Sequence, residues 1–285
     1  MLQTLIKPKL EAEVEGLGSV YLTKASFDQS LESLRSIDIE NPISARDLAY
    51  ARIKKPKSSL RYGNYTREGF LGLKNEPYLL ALNSPLLDLE LARKAVEANR
   101  QGNYFVTNDS EIYDKYREQA EQDKNKEPEE RNVLILPERE IFDVSRNKYW
   151  GVLQGLLKDQ TEEYFDLNKR TNNYDFIRCY LINKDFIDNR KGSVLTQLRF
   201  HGLDDRSDLN GDDRGFDYSD GVRGVSEKTG EASRAQETKH KQKIELPYTS
   251  KQLNKIHNII SGVREGRLPA SKLEKVAEFL EKLKQ

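Results

Sequence analysis

The sequence predicts an α+β chain: a mixed domain carrying one long irregular display segment, followed by a C-terminal helical tail. Three observations lead there. Short apolar runs that read as strands are interleaved with amphipathic stretches of helical period. Residues 200–226 carry isolated apolar residues at neither strand nor helix spacing. In the last forty or so residues, Leu273, Val276, Phe279, Leu280 and Leu283 form a stripe at i, i+3, i+4 spacing.

At 285 residues, 36% apolar and 33% charged, the chain suits one large domain or a domain plus an appendage. Basic and acidic residues balance at 47 each, which argues against a nucleic-acid partner, because phosphate binding leaves a basic excess. The single cysteine, Cys179, excludes an internal disulfide and a multi-cysteine zinc site. Its setting in "FIRCYLI" reads as a small buried hydrophobe rather than a catalytic thiol. The opening "MLQTLIKPKLEAEVEG" lacks the apolar stretch and small-residue cleavage site of a signal peptide, and no window approaches the ~18 apolar residues of a membrane span. The expectation is a soluble chain, cytoplasmic or virion-associated.

Residues 1–52 read as a hairpin-helix segment. "LEAEVEGLGSVYLT" alternates and breaks at Gly16-Leu17-Gly18, and Ser26 with Gln29 predicts a capping box for a helix to Ser36. The main domain is expected over 53–226. It begins with a connector at 53–63, then two strands, "YTREGFLGL" and "PYLLAL", joined at Lys74-Asn75-Glu76. Ser84, Pro85 and Gly102 bracket a helix. "NYFVT" reads as a strand, and Asp109 or Ser110 caps a helix with Ile112, Tyr116 and Ala120 on one face. Residues 123–131 read as a solvated charged loop, "NVLILP" as a buried strand, and "KYWGVLQGLLKDQTEEYFDLN" as one helix. "YDFIRCYLI", "SVLTQLRF" and "VRGV" are further strands. Residues 227–247 read as a flexible linker and 248–285 as two amphipathic helices, which pack on the body or offer an oligomer or partner surface.

The catalytic templates fail. His201, His240 and His257 fall in three segments with no metal-ligand spacing, and no G-x-S-x-G, P-loop or G-x-G-x-x-G is present. Glu162-Glu163 reads as a solvated helix face. No enzyme activity, cofactor or metal is therefore expected. One alternative is a calcium-binding loop, since "DDRSDLNGDD" offers Asp204, Asp205, Asp208, Asn210, Asp212 and Asp213 as oxygen donors. It does not follow the EF-hand pattern, which needs a Glu six residues after its Gly; position 217 is Asp.

Two properties set residues 200–226 apart. Lys, Glu, Gln, Met and Trp supply 67 of the 285 residues, so about six are expected in this window on composition alone. None occurs. The second property is a framework of Leu198, Phe200, Leu203, Leu209, Gly211, Phe216, Val222 and Val225, irregularly spaced as anchors for a braced, irregular backbone. Between them stand Tyr, Ser, Asn, Asp and Gly, the residue set of antibody-like binding surfaces.

"LRFHGLDDRSDLNGDDRGFDYSDGVRGV" resembles the variable region of target proteins of diversity-generating retroelements, the archaeal and viral type with a C-type-lectin-like fold, similar to the formylglycine-generating-enzyme-like group. In that family a reverse transcriptase mutates template adenines. Asn codons then become NNY codons, which never encode Lys, Glu, Gln, Met or Trp. The resemblance is strongest over 193–225, and the order of elements extends it to about residue 60. It implies a ligand-binding protein with a hypervariable surface, about residues 198–222, gripping a variable macromolecular ligand, a protein. It maps the variable positions onto His201, Gly202, Asp204, Asp205, Asp208, Asn210, Asp212, Asp213, Gly215, Tyr218, Ser219, Asp220 and Gly221. Arg206, Ser207 and Arg214 belong to either class, and Arg223 is expected to be framework, bonding display-loop carbonyls. Two further readings stand beside it. "EVEGLGSVYLTKASFDQSLESL" has the strand-turn-strand-helix look of some phage tail-assembly proteins. An enzyme of the formylglycine-generating type would need a cysteine pair that Cys179 alone does not supply.

Overall fold

The computed structural model describes residues 6–204, 206–212 and 221–226. The chain opens with the predicted antiparallel hairpin, β1 (Lys9–Val14) and β2 (Gly18–Thr23). Gly16 turns it with φ +79°, a conformation that L side chains rarely adopt. Helix α1 (Phe27–Arg35) follows Ser26, but the Ser26 hydroxyl bonds the Asp28 carboxylate at 2.5 Å instead of closing a capping box with the backbone. Helix α2 (Ala45–Lys54) is capped by Ser44, which accepts from the Asp47 N–H. The connector expected from residue 53 thus begins after Lys54 and contains a 3₁₀ turn, Ser59–Arg61.

Strands β3 (Asn64–Gly72) and β4 (Leu79–Ala81) pair antiparallel. Helix α3 (Leu89–Arg100) starts later than predicted: Asp88 is its cap, accepting from Glu90 and Leu91, while Ser84 and Pro85 open a separate 3₁₀ turn. After β5 (Phe105–Val106), α4 (Glu111–Asp123) buries Tyr113, Ala120 and Asp123, with Ile112 and Tyr116 at the margin. The charged loop therefore starts on a fully buried carboxylate. Asp123 accepts from the backbone N–H of Asn132 at 2.7 Å and from Gln119 and Lys126. Strands β6 (Val133–Ile135) and β7 (Ile141–Val144) follow. The long helix predicted next breaks at Lys158, φ +55°, into α5 (Trp150–Leu157) and α6 (Thr161–Asn172). Then come β8 (Ile177–Tyr180), α7 (Lys184–Asp188), β9 (Val194–Phe200), β10 (Leu209–Asn210) and β11 (Val222–Ser226). The predicted linker and tail helices lie outside the described residues.

The described strands form one mixed sheet in the order β1-β2-β11-β3-β9-β10-β8-β7, with β4 branching from β3 and carrying β6 on its other edge, and β5 branching from β9. The β3–β9 pair is the trunk. The far edge of β3 is shared by β11 at Tyr65 and by β4 at Gly69–Leu71. The far edge of β9 is shared by β5 at Val194–Leu195 and by β10 at Arg199–Phe200. Strand alternation sends Phe70, Leu198 and Phe200 into a core with α2, α5 and α6, while Tyr65, Leu71 and Leu195 join α1, α3 and α4 in a second core. The fold is a mixed α+β arrangement with helices on both faces of a large sheet, and the first 52 residues contribute strands and helices to it. Among the described residues, no helix is long and apolar enough to cross a membrane.

The trunk carries a bulge. Between Tyr65↔Arg199 and Gly69↔Gln197, three residues of β3 oppose Leu198 alone. Glu68, 2% exposed, sits in this bulge, and its two oxygens accept from the Ala45 N–H that begins α2, at 3.1 and 3.0 Å. Burial pushes its carboxyl up to about 7, against the opposing effects of the Thr66 hydrogen bond and the Arg67 charge. A carboxyl raised on folding contributes stability fully present below its unfolded range and lost as pH rises through its folded value. We therefore expect Glu68→Gln, which keeps the acceptor without the charge, to abolish a loss of stability of about 3 kcal/mol between pH 4.5 and 7.5. Denaturant unfolding at a series of pH values checks this; an unchanged pH dependence in the variant contradicts it.

Candidate functional site

The segment after β9 leaves the sheet at Phe200 and returns at Leu209, so residues 201–208 form a closed excursion between two paired strands. Its root is tied by backbone bonds: His201 N–H to the Asp208 carbonyl at 2.8 Å, Ser207 N–H to the Gly202 carbonyl at 2.9 Å, and Leu203 N–H to the Arg61 carbonyl at 2.7 Å. Leu203 and Leu209 are buried in the α2–α5–α6 core, as the anchor pattern predicts. Arg206 and Ser207 turn the chain with φ +61° and +58°, two successive left-handed residues.

The predicted variable positions separate by burial. Asp204 and Asp212 are exposed, and His201 and Asn210 are half-buried. Asn210 accepts from the Asp212 N–H at 2.8 Å, an Asx turn, and its amide lies 3.4 Å from the His201 ring. Tyr104 donates to the Asp212 carboxylate. Gly202, Asp208 and Gly221, expected to face outward, are buried instead. Asp208 turns its carboxylate inward to accept from the Arg178 N–H at 3.1 Å. A Cβ at Gly202 would drive into the Arg61 carbonyl and lie 2.9 Å from the Gly63 nitrogen. Gly221 holds φ +95° against Leu22. Asp205, Asp213, Gly215, Tyr218, Ser219 and Asp220, with Arg214 and the Phe216 anchor, lie outside the described residues.

Of the described residues assigned to either class, Arg206 is exposed with its guanidinium 5.0 Å from the Tyr174 ring, whereas Ser207 is fully buried. Ser207 accepts from the Tyr164 hydroxyl at 2.9 Å. Tyr164 in turn accepts from Arg52 at 2.8 Å. Arg52 is 0% exposed and also donates to the carbonyls of Leu60, Tyr62 and Phe200 at 3.0, 2.9 and 3.2 Å, with its Cζ 4.6 Å from the Phe200 ring centre. Burial pulls this guanidinium below its ordinary value; the Tyr164 hydroxyl and the Asp204 charge act the other way. Sequence reading missed Arg52 because it stands beside the Lys-rich "IKKPK"; the one available signal was its helical register with buried Leu48 and Ala49.

Arg223 on β11 is buried. Among the described residues it makes a two-pronged pair with Glu11 of β1 at 2.5 and 2.9 Å and donates to the Ser59 carbonyl, and none of these partners belongs to residues 201–212. Burial opposes ionisation of Glu11, but the hydrogen bonds and charge of Arg223 hold its carboxyl below the usual range. Cys179 is fully buried opposite Leu209, and burial pushes its thiol well up, which leaves it protonated. Among the described residues, no group of three or more His, Cys, Asp or Glu side chains is placed to hold a metal ion. Comparison with family models, curated proteins and solved structures finds no match to the chain.

The glycines at the loop root are steric requirements. Gly211 faces the Phe70 ring so closely that a Cβ would enter it. Gly202→Ala and Gly211→Ala are each expected to cost about 2 kcal/mol, whereas Asp204→Asn, on an exposed side chain, stays within about 0.5 kcal/mol. Chemical denaturation measures all three; equal effects would contradict the division into buried root and exposed positions.

Proposed function

We propose that the chain is a ligand-binding protein, not an enzyme, that displays a variable surface over about residues 198–222 on a lectin-like scaffold, and that adenine-specific retroelement mutagenesis diversifies that surface. The observation that carries the reading is a division of labour in the segment that lacks Lys, Glu, Gln, Met and Trp. The described backbone of its first part, up to Asp212, is held by strand pairing, by Leu203 and Leu209, and by contacts at Gly202, Ser207 and Gly211. The side chains of His201, Asp204, Asn210 and Asp212 reach the surface, so substitution there leaves those holds in place. Asp208 and Gly221 count with the root in this copy. Seven of residues 201–221 are Asp, offset by Arg206 and Arg214, which favours a basic or polar epitope on a protein ligand.

Deep sequencing of the coding DNA for residues 195–225 across a population tests this reading. Variation is expected at the codons for His201, Asp204, Asn210 and Asp212, confined to NNY codons and matched by a nearby template repeat that differs only at adenines, with Gly202, Ser207, Leu209 and Gly211 constant. Variation spread evenly over the chain, or substitution to Lys or Glu at the display positions, would contradict it.

A further inference from the structure

We propose that Arg52 and Tyr164, both far from the display segment in sequence, are positioning residues that fix its conformation through Ser207. Four hydrogen bonds run in one direction: Arg52 donates to the Tyr164 oxygen, Tyr164 donates to Ser207 Oγ, and both the hydroxyl and the N–H of Ser207 turn toward the Gly202 carbonyl, at 3.5 and 2.9 Å. Every member named is buried, so no water competes for these bonds. Ser207 is where the segment takes its second left-handed residue. A serine there loses the local steric preference for that conformation, and the tether supplies a compensating hold. The same guanidinium grips the Phe200 carbonyl, where the segment departs, and the Tyr62 carbonyl, in the turn against which Gly202 packs. One side chain on α2 therefore sets both the departure point and the seat of the excursion, and α6 passes the hold to its far side.

This role rests on the display reading for its purpose, but its test needs no ligand and no sequence variation, so either can fail without the other. Tyr164→Phe removes one oxygen and keeps the ring against Phe200, 5.2 Å between centroids. In the full chain, trypsin cleavage after Arg206 and hydrogen exchange at Leu203 and Ser207 are expected to rise about tenfold, with exchange in α3 and β4 unchanged. Ser207→Ala, which leaves the core intact, should reproduce the local effect if Tyr164→Phe does not fold. Asp204→Asn should not produce it. Exchange that rises in parallel through α3 and β4 in both variants would reduce the tether to general stability and overturn the proposal, as would unchanged cleavage after Arg206.

Discussion

A fully buried guanidinium is the constraint on which the rest of this structure depends. An unpaired charge in the core is expensive, and Arg52 is tolerated because three carbonyls, a phenol and an aromatic face surround it. Those partners come from three places: the turn after α2, helix α6 and the end of β9, where Phe200 supplies both its carbonyl and its ring. Satisfying one cation thus forces these elements to converge. The planar fork suits that task, since a lysine offers a point charge in place of separately aimed donors. The root of the 201–208 excursion lies where they meet.

The sheet explains why a surface segment emerges there. β3 and β9 are each long enough to share an outer edge between two partners, and the bulge at Thr66–Glu68 swings β3 between them. The short β10 closes the excursion, and β11 returns between β2 and β3. The Arg223–Glu11 pair joins that last strand to the first, across a separation of more than two hundred residues. Both ends of the segment are thereby locked to framework, with Leu203 and Leu209 in the core between them.

Much of this was legible where period and punctuation agree. The hairpin at Gly16, the strands "SVLTQLRF" and "VRGV", and the anchors Leu203 and Leu209 follow from apolar spacing and glycine alone. The failures have physical causes. Helix α2 was missed because Lys54, Lys55 and Lys57 mask an inward face of Leu48, Ala49 and Arg52. Asp123 reads as part of a solvated loop and Asp208 as a variable position, but each is the acceptor that a nearby backbone N–H needs, and no periodicity marks such a partner. The break at Lys158 has no glycine or proline to announce it. Within the candidate site, the buried anchors Leu203 and Leu209 were visible, whereas Arg52 and Tyr164, which hold the root, stand more than forty positions away and Gly202 and Asp208 pass for variable residues.

In the proposed display role, the backbone of the excursion is independent of the side chains it presents. A crystal structure of the His201→Ala, Asp204→Ala, Asn210→Ala, Asp212→Ala quadruple variant addresses it most directly. Cα displacements within about 1 Å over 200–209 are expected, with Leu203 and Leu209 still seated and Tyr164 still bonded to Ser207. A rearranged excursion, with either leucine withdrawn from the core, would contradict it.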